Sequence, residues 1–276
     1  MPEGPEVKNL VIWLNKNFKY KKILNIKINS GKYKKNPKTL SNKIFPQTIE
    51  SINCKGKFIY FIFKNSDYVL FVTLGMTGWF ILNEEKHNNI EFNIEKTKLF
   101  FNDFRNFGNI IVSNKEELTK KLNTLGADIL NENDNFNIFN KRINRKRDDT
   151  FIASALLDQK VSAGVGNYIR SEALYLAKIS PYRKIKDINN NELKKLWNIL
   201  KQIGFFYYNE KLGRKLGIID GKYILINKFK KSGPSIYKPE DGKFLVYRQD
   251  FDSKGNKVIH EKINNRTIHY VKKIQK

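Results

Sequence analysis

Leu156-Leu157-Asp158-Gln159-Lys160, then Gly164-Val165-Gly166-Asn167-Tyr168, then Ser171-Glu172-Ala173-Leu174 is the stretch on which the fold turns. An apolar run gives way to a turn punctuated by two glycines, and a helical period starts at once. Ile169, Ala173, Leu176 and Ala177 fall on one helical face. Glycines at such a turn let the backbone approach a ligand closely. Asn167 stands at the helix start, where unpaired N–H groups and the helix dipole favour a phosphate; an ordinary N-cap is the plainer reading of the same residue. A second helix follows, with Leu193, Leu196, Trp197, Leu200 and Ile203 on one face. This half of the chain reads as helical.

Working outward, the preceding sequence changes character. Val7, Leu10, Val11 and Leu14 recur at helical spacing and predict one short amphipathic helix. After it come aromatic and β-branched runs. Phe58–Phe63 and Tyr68–Leu74 are joined by Lys64-Asn65-Ser66-Asp67, which reads as a hairpin. Leu99-Phe100-Phe101 and Ile110-Ile111-Val112 add further strands. The first 125 or so residues therefore read as a β-sandwich with a leading helix. Asn131 to Asp149 has the Asn-rich composition of a linker. Beyond the helices, Phe244–Tyr247, Lys257–Ile259 and Thr267–Val271 look like short strands, with a turn at Gly255-Asn256. The expected division is 1–130, a linker 131–149, a helical domain 150–243 and a β-hairpin 244–276.

Charge narrows the function. The 276 residues carry a formal net charge of +25, so a polyanion, nucleic acid first, is the expected partner. Twenty Phe and 13 Tyr exclude a disordered tail. Cys54 is the single cysteine, which excludes an internal disulfide and all but excludes a cysteine metal site. No apolar run reaches membrane-spanning length and the acidic, Pro-rich start is no signal peptide. A soluble intracellular protein, a monomer with no membrane partner, is expected; nucleus and host cytoplasm or viral factory stay open.

The opening Met1-Pro2-Glu3-Gly4-Pro5-Glu6 carries chemistry. An initiator Met is normally removed before a small residue, which exposes Pro2 as a secondary amine. An α-amino group titrates near pH 8, so part of it is unprotonated at neutral pH and can attack an electrophilic sugar carbon. Glu3 and Glu6 lie within one turn and can move protons. Read alone, the same residues are an ordinary helix start.

These segments together resemble the formamidopyrimidine-DNA glycosylase and endonuclease VIII family, in the family's order and across nearly the whole chain. Met1–Val7 matches its opening. Gly56-Lys57-Phe58 matches the loop whose lysine reaches DNA phosphates and the lesion's sugar. Leu74-Gly75-Met76-Thr77-Gly78 is similar to its Leu-Gly-Met-Ser-Gly, and Asn102-Asp103-Phe104-Arg105-Asn106-Phe107-Gly108 to its Asn-Asp-Pro-Arg-Arg-Phe-Gly. By resemblance Met76, Arg105 and Phe107 fill the hole left by an extruded base. The stretch from Leu156 to Leu174 resembles the helix–two-turns–helix motif, in which Asn167 binds phosphate. Glu6, Lys160 and Glu172 take supporting places, Glu172 and Asp158 as structural residues.

Most bacterial members end in a four-cysteine zinc finger. Here that region has no cysteine, and His260 and His269 cannot supply four ligands. The segment resembles the zincless finger of endonuclease VIII-like proteins, with Arg266 matching the finger arginine that grips the phosphate beside the lesion. Abundant Lys, Asn and Ile suggest A/T-rich codons, as in a homologue from a large DNA virus. The resemblance implies an α+β multidomain fold and a bifunctional glycosylase and abasic-site lyase acting through β,δ-elimination, with no cofactor and no metal. Its partner would be duplex DNA holding a damaged base or abasic site in a cleft, with single-stranded DNA left open. The short Ser232–Lys243 segment implies preference for oxidised pyrimidines and ring-opened or further oxidised purines over 8-oxoguanine, unless Tyr237 or Lys238 reaches the base by another path. The rival readings are a DNA-binding member without catalysis and an RNA-binding or ribosomal protein; intact Pro2, Glu3 and Lys57 speak against the first and the N-terminal motif matches against the second.

Overall fold

Alternating apolar sequence in the first half builds strands, and periodic apolar sequence in the second builds helices. The computed structural model describes residues 1–35, 40, 42–209, 237 and 243–276. Among these, residues 1–2 and 6–124 form one unit, and residues 3–5, 125–209, 237 and 243–276 form another.

The first unit opens with helix α1 (Gly4–Phe18), whose first residues belong to the other unit. Strand β1 (Lys22–Ile28), a single helical turn α2 (Lys32–Lys35), then β2 (Gln47–Lys55), β3 (Phe58–Phe63), β4 (Tyr68–Thr73), β5 (Trp79–Ile81), β6 (Asn88–Ile94), β7 (Thr97–Asn102) and β8 (Asn109–Asn114) follow. Helix α3 (Lys115–Thr124) closes the unit, capped where Asn114 Oδ1 accepts the Glu117 N–H at 2.8 Å. The strand order is β5-β7-β6-β1-β2-β3-β4-β8. Strands β1 and β2 join the two four-stranded halves through only Lys22↔Thr48 and Ile23↔Gln47, so the sheet folds back there into a sandwich. Side chains from both halves share one core. In it the rings of Phe61 and Phe80 lie 6.0 Å apart across the layers, and Phe80 meets Phe101 at 5.3 Å. Burying such a ring contributes about 1.5–3 kcal/mol. Helix α1 is pinned to β2 by Asn15, which accepts the Ile52 N–H at 2.9 Å and donates back to the Ile52 carbonyl.

In the second unit β9 (Ala127–Asp128) pairs in parallel with β10 (Ser162–Ala163). Helices α4 (Phe136–Ile143), α5 (Ile152–Leu157), α6 (Asn167–Ala177) and α7 (Asn190–Asn209) surround them. Strands β11 (Ile259–Ile263) and β12 (Arg266–Tyr270) form an antiparallel hairpin.

Three expectations are corrected. Residues 131–149 are not a structureless linker, because they contain α4. Asn135 caps it by accepting the Asn137 and Ile138 N–H groups, and Phe139, fully buried, stacks on Trp197 at 5.1 Å. The units part at Thr124/Leu125 rather than at 130. Phe244–Tyr247 is not a strand, because its N–H groups bond to Glu172 instead of a neighbouring strand. The hairpin reverses at Asn264-Asn265, both in left-handed backbone at φ 49° and 60°, whereas Gly255-Asn256 closes a smaller loop around Asp252. Most of Ser232–Lys243, including Lys238, lies outside the described residues.

Candidate functional site

Two groups of side chains, one in each unit, hold the residues singled out by sequence. In the second unit the N-terminal residues Glu3-Gly4-Pro5 run against the turn between α5 and α6. The Gly4 N–H donates to the Gly164 carbonyl at 2.8 Å. The Glu3 side chain is 2% exposed, and its carboxylate accepts the Tyr168 N–H at 2.8 Å and the Ile169 N–H at 3.3 Å. These are first-turn donors of α6, which no helical carbonyl can satisfy. The helix cap is Gly166 rather than Asn167, and Gly166 offers no side chain. A Cβ there would land on the Glu3 carboxylate. The anion at this helix N-terminus is thus the chain's own glutamate. Likewise the two glycines admit Glu3 and Gly4, where the sequence suggested close approach of an external ligand.

Asn167 is occupied differently from the expected cap. Its side-chain amide donates to the Thr267 carbonyl at 2.6 Å, and its Oδ1 accepts from Arg170 at 2.5 Å. This ties the start of α6 to strand β12, one residue from Arg266, whose side chain is exposed. Arg170 is the residue that sequence reading missed. It is fully buried, donates to the carbonyls of Ala153 (3.1 Å) and Thr267 (3.1 Å), and leaves its Nε without a hydrogen-bond partner. Burial lowers its pKa to about 10, Glu3 pulls it upward and Arg266 pushes it down. Nothing in the local sequence separates this arginine from a solvated one; only its place facing the apolar side of α6 does.

Glu172, also fully buried, holds the segment before the hairpin. Its carboxylate accepts the N–H groups of Leu245 (2.7 Å), Val246 (2.8 Å) and Tyr247 (2.8 Å), and the Tyr237 hydroxyl at 3.0 Å. Burial raises its pKa and these donors oppose the rise. Tyr237 is 1% exposed and its hydroxyl also meets that of Tyr207 at 2.5 Å, so this tyrosine is a core group. Asp158 accepts the Lys160 N–H at 2.8 Å and pairs with Lys146, while the Lys160 side chain is exposed. On the hairpin, His260 and His269 are cross-strand partners with rings 4.6 Å apart. His269 is packed and its Nδ1 accepts the Arg248 N–H at 3.3 Å; His260 is exposed. No group of three or more His, Cys, Asp or Glu side chains among the described residues is arranged to hold a metal ion.

In the first unit two loops are welded together. The Asp103 carboxylate accepts the Gly108 N–H at 2.6 Å and the Thr77 hydroxyl, and Thr77 Oγ1 accepts the Arg105 N–H at 3.2 Å. Gly75, at φ 59°, passes so close to Phe107 that a Cβ would sit 2.5 Å from its carbonyl carbon. The structure thereby brings Met76, Arg105 and Phe107 to one place. Phe107 is 54% exposed and the Arg105 guanidinium lies 5.0 Å from its ring centroid. Lys57 sits half-buried in the two-residue turn between β2 and β3, next to Gly56 at φ 56°. Pro2 is half-buried just ahead of α1, and Glu6 lies half-buried in the first turn of that helix.

Comparison with known proteins agrees with this geometry. A family model described as the formamidopyrimidine-DNA glycosylase N-terminal domain matches residues 1–110. A second, the formamidopyrimidine-DNA glycosylase H2TH domain, matches residues 125–204. The formamidopyrimidine-DNA glycosylase of Wolbachia sp. subsp. Brugia malayi is 32% identical over 208 residues, covering 73% of this chain and 76% of that one. The protein of that name from Listeria monocytogenes is 34% identical over 213 residues, covering 74% and 77%. The crystal structure of the Lactococcus lactis formamidopyrimidine DNA glycosylase, non-covalently bound to DNA containing an abasic site, superposes with a TM-score of 0.78 at 21% identity over 99% of both chains. No helix among the described residues is long and apolar enough to cross a membrane.

The buried histidine gives the site a pH signature. Burial, aided by the charges of His260, Arg248 and Arg170, lowers His269 from 6.5 to about 4. The unfolded chain therefore takes up this proton at a higher pH than the folded one, so the linked stability is complete above pH 6.5 and is lost as pH falls toward 4. Thermal unfolding of His269→Gln across this range should show a shallower fall than wild type; parallel slopes would contradict the assignment.

Proposed function

This chain belongs to the formamidopyrimidine-DNA glycosylase family, and from that premise we propose that Pro2 is its covalent nucleophile. The protein is a base-excision-repair DNA glycosylase, with the abasic-site lyase activity typical of that family. The observation that carries the residue assignment is the Glu3 carboxylate on the N-terminus of α6, because it fixes the residue next to Pro2 against the helix that begins with Asn167.

With Met1 removed, the unprotonated Pro2 nitrogen attacks C1′ of the damaged nucleotide. The bond from C1′ to the base breaks and the base departs with a proton. Ring opening, with a proton delivered to the ring oxygen, leaves an iminium between Pro2 and C1′. Glu3, held in place, serves proton transfer at the sugar; Glu6 supports it. The iminium acidifies the C2′ hydrogens, so loss of one expels the 3′ phosphate, and a second elimination expels the 5′ phosphate. Lys57 and Arg266 neutralise phosphate charge and Asn167 adds a hydrogen-bond donor to a phosphate oxygen; the net charge of +25 makes this binding steeply salt-dependent. Met76, Arg105 and Phe107 fill the space of the extruded base, which offsets part of the few kcal/mol that unstacking costs. Amine chemistry of this kind calls for no cofactor.

Borohydride should trap one protein–DNA adduct on abasic duplex, and mass spectrometry should place it on Pro2. An adduct on Lys57, or full trapping by a chain that retains Met1, would overturn the assignment.

The lesion class follows from the sequence of the finger and of Ser232–Lys243. The Ser232–Lys243 sequence is shorter than the covering loop of bacterial formamidopyrimidine enzymes, so selection would rest on how easily a base leaves the stack, and saturated or ring-opened bases leave more easily. Burial of Tyr237 supports this, since that ring is not available to cover a base. Single-turnover rates should rank thymine glycol and guanidinohydantoin above 8-oxoguanine opposite cytosine; fastest removal of 8-oxoguanine would reverse the reading.

A further inference from the structure

Phe104 is 60% exposed, in a protein whose other aromatic side chains mostly fill its cores. It stands where the family pattern quoted above has proline. Its exposure does not come from a loose loop. The Asp103 N–H donates to Asn89 Oδ1 at 2.8 Å, and the Asp103 carboxylate holds the Gly108 N–H and the Thr77 hydroxyl. The next residue, Arg105, is held through its own N–H by Thr77 at 3.2 Å. Asn106, in left-handed backbone at φ 56°, accepts from Asn89 Nδ2 at 3.0 Å. Residues on both sides of Phe104 are thus fixed, and its ring cannot drop into the sandwich. It rests instead against the His87 ring, with centroids 5.7 Å apart.

The loop therefore presents a preset aromatic face beside the exposed Arg105 and Phe107. A ring carried on a fixed backbone has only its two side-chain torsions left to order on binding, so such residues make good anchors. Positive charge on the neighbouring Arg105, within a chain of net charge +25, fits a polyanion. When a damaged base leaves the duplex, its former partner loses its pair and becomes able to offer a π-face. We propose that Phe104 stacks on this orphaned base of the undamaged strand, adding to the void-filling side chains a contact that senses the opposite base. The proposal rests on the reading that Met76, Arg105 and Phe107 enter the duplex.

A double-mutant cycle between residue 104 and the opposite base tests it. Binding is measured on a duplex carrying a stable abasic analogue, with either thymine or a second abasic analogue opposite. Phe104→Ala should weaken binding about tenfold against thymine, as loss of one base–aromatic stack would, and less than about twofold with no base opposite. Phe104→Trp should bind at least as well as wild type against thymine. Equal losses on both duplexes, or none on either, would overturn the proposal. Unchanged melting temperatures would show that each variant folds. Phe107→Ala, run in parallel, should weaken both duplexes; if it weakens neither, the void-filling reading fails and takes the proposal with it, whereas a failure confined to Phe104 leaves that reading standing.

Discussion

The Glu3 carboxylate accepts the Tyr168 and Ile169 N–H groups, joining residues as far as 166 positions apart in sequence. Several features depend on that contact. Gly166 must lack a side chain, because the carboxylate occupies the space of a Cβ. The orphan donors of α6 are satisfied without a capping side chain, which frees Asn167 to bond to Thr267 and fix the hairpin that carries Arg266. Pro2, one residue before Glu3, inherits a defined position. A flexible N-terminus would be a poor nucleophile, because attack on a sugar carbon requires the reacting atoms to be held near contact distance.

Rigid loops do comparable work in the first unit. Asp103 crosslinks the segment after β7 to the Thr77 turn, and Gly75 allows the two backbones to pass at contact distance. Polar groups are thereby satisfied inside the loops, so that Arg105, Phe107 and Phe104 face outward. Exposing aromatic rings has a hydration penalty that a free protein does not recover; an unstacked base, on the proposed reading, would recover it. Glu172 plays the matching part in the second unit, where one buried carboxylate replaces a strand's worth of partners for residues 245–247.

Much of this was legible in sequence where the determinants are local. Alternation in Phe58–Phe63 and Tyr68–Thr73 gives the hairpin, and the period of Leu193 to Ile203 gives α7. Motif resemblance supplied the site residues, since none of them announces its role by its type. What sequence missed depends on distant partners. Helix α4 has the composition of a linker because its Asn-rich sequence hides the two apolar side chains that anchor it, Phe139 on Trp197 and the buried Ile143. Phe244–Tyr247 has the composition of a strand, and only Glu172 makes it a turn. Arg170 went unremarked in sequence because its burial against Asn167 and Thr267 depends on strand β12, almost a hundred residues further on.

Glu3, seated on α6, is proposed to position the Pro2 amine. Gly166→Ala tests this, since the added methyl would occupy the place of the Glu3 carboxylate and unseat it while every proposed catalytic and DNA-binding residue keeps its identity. The measurement is the single-turnover rate of borohydride trapping on abasic duplex, at saturating enzyme, beside a circular dichroism melt. A fall of about a hundredfold or more in a folded chain that still binds DNA is the predicted result, in line with the cost of misplacing a reacting group. Trapping at the wild-type rate would contradict the claim.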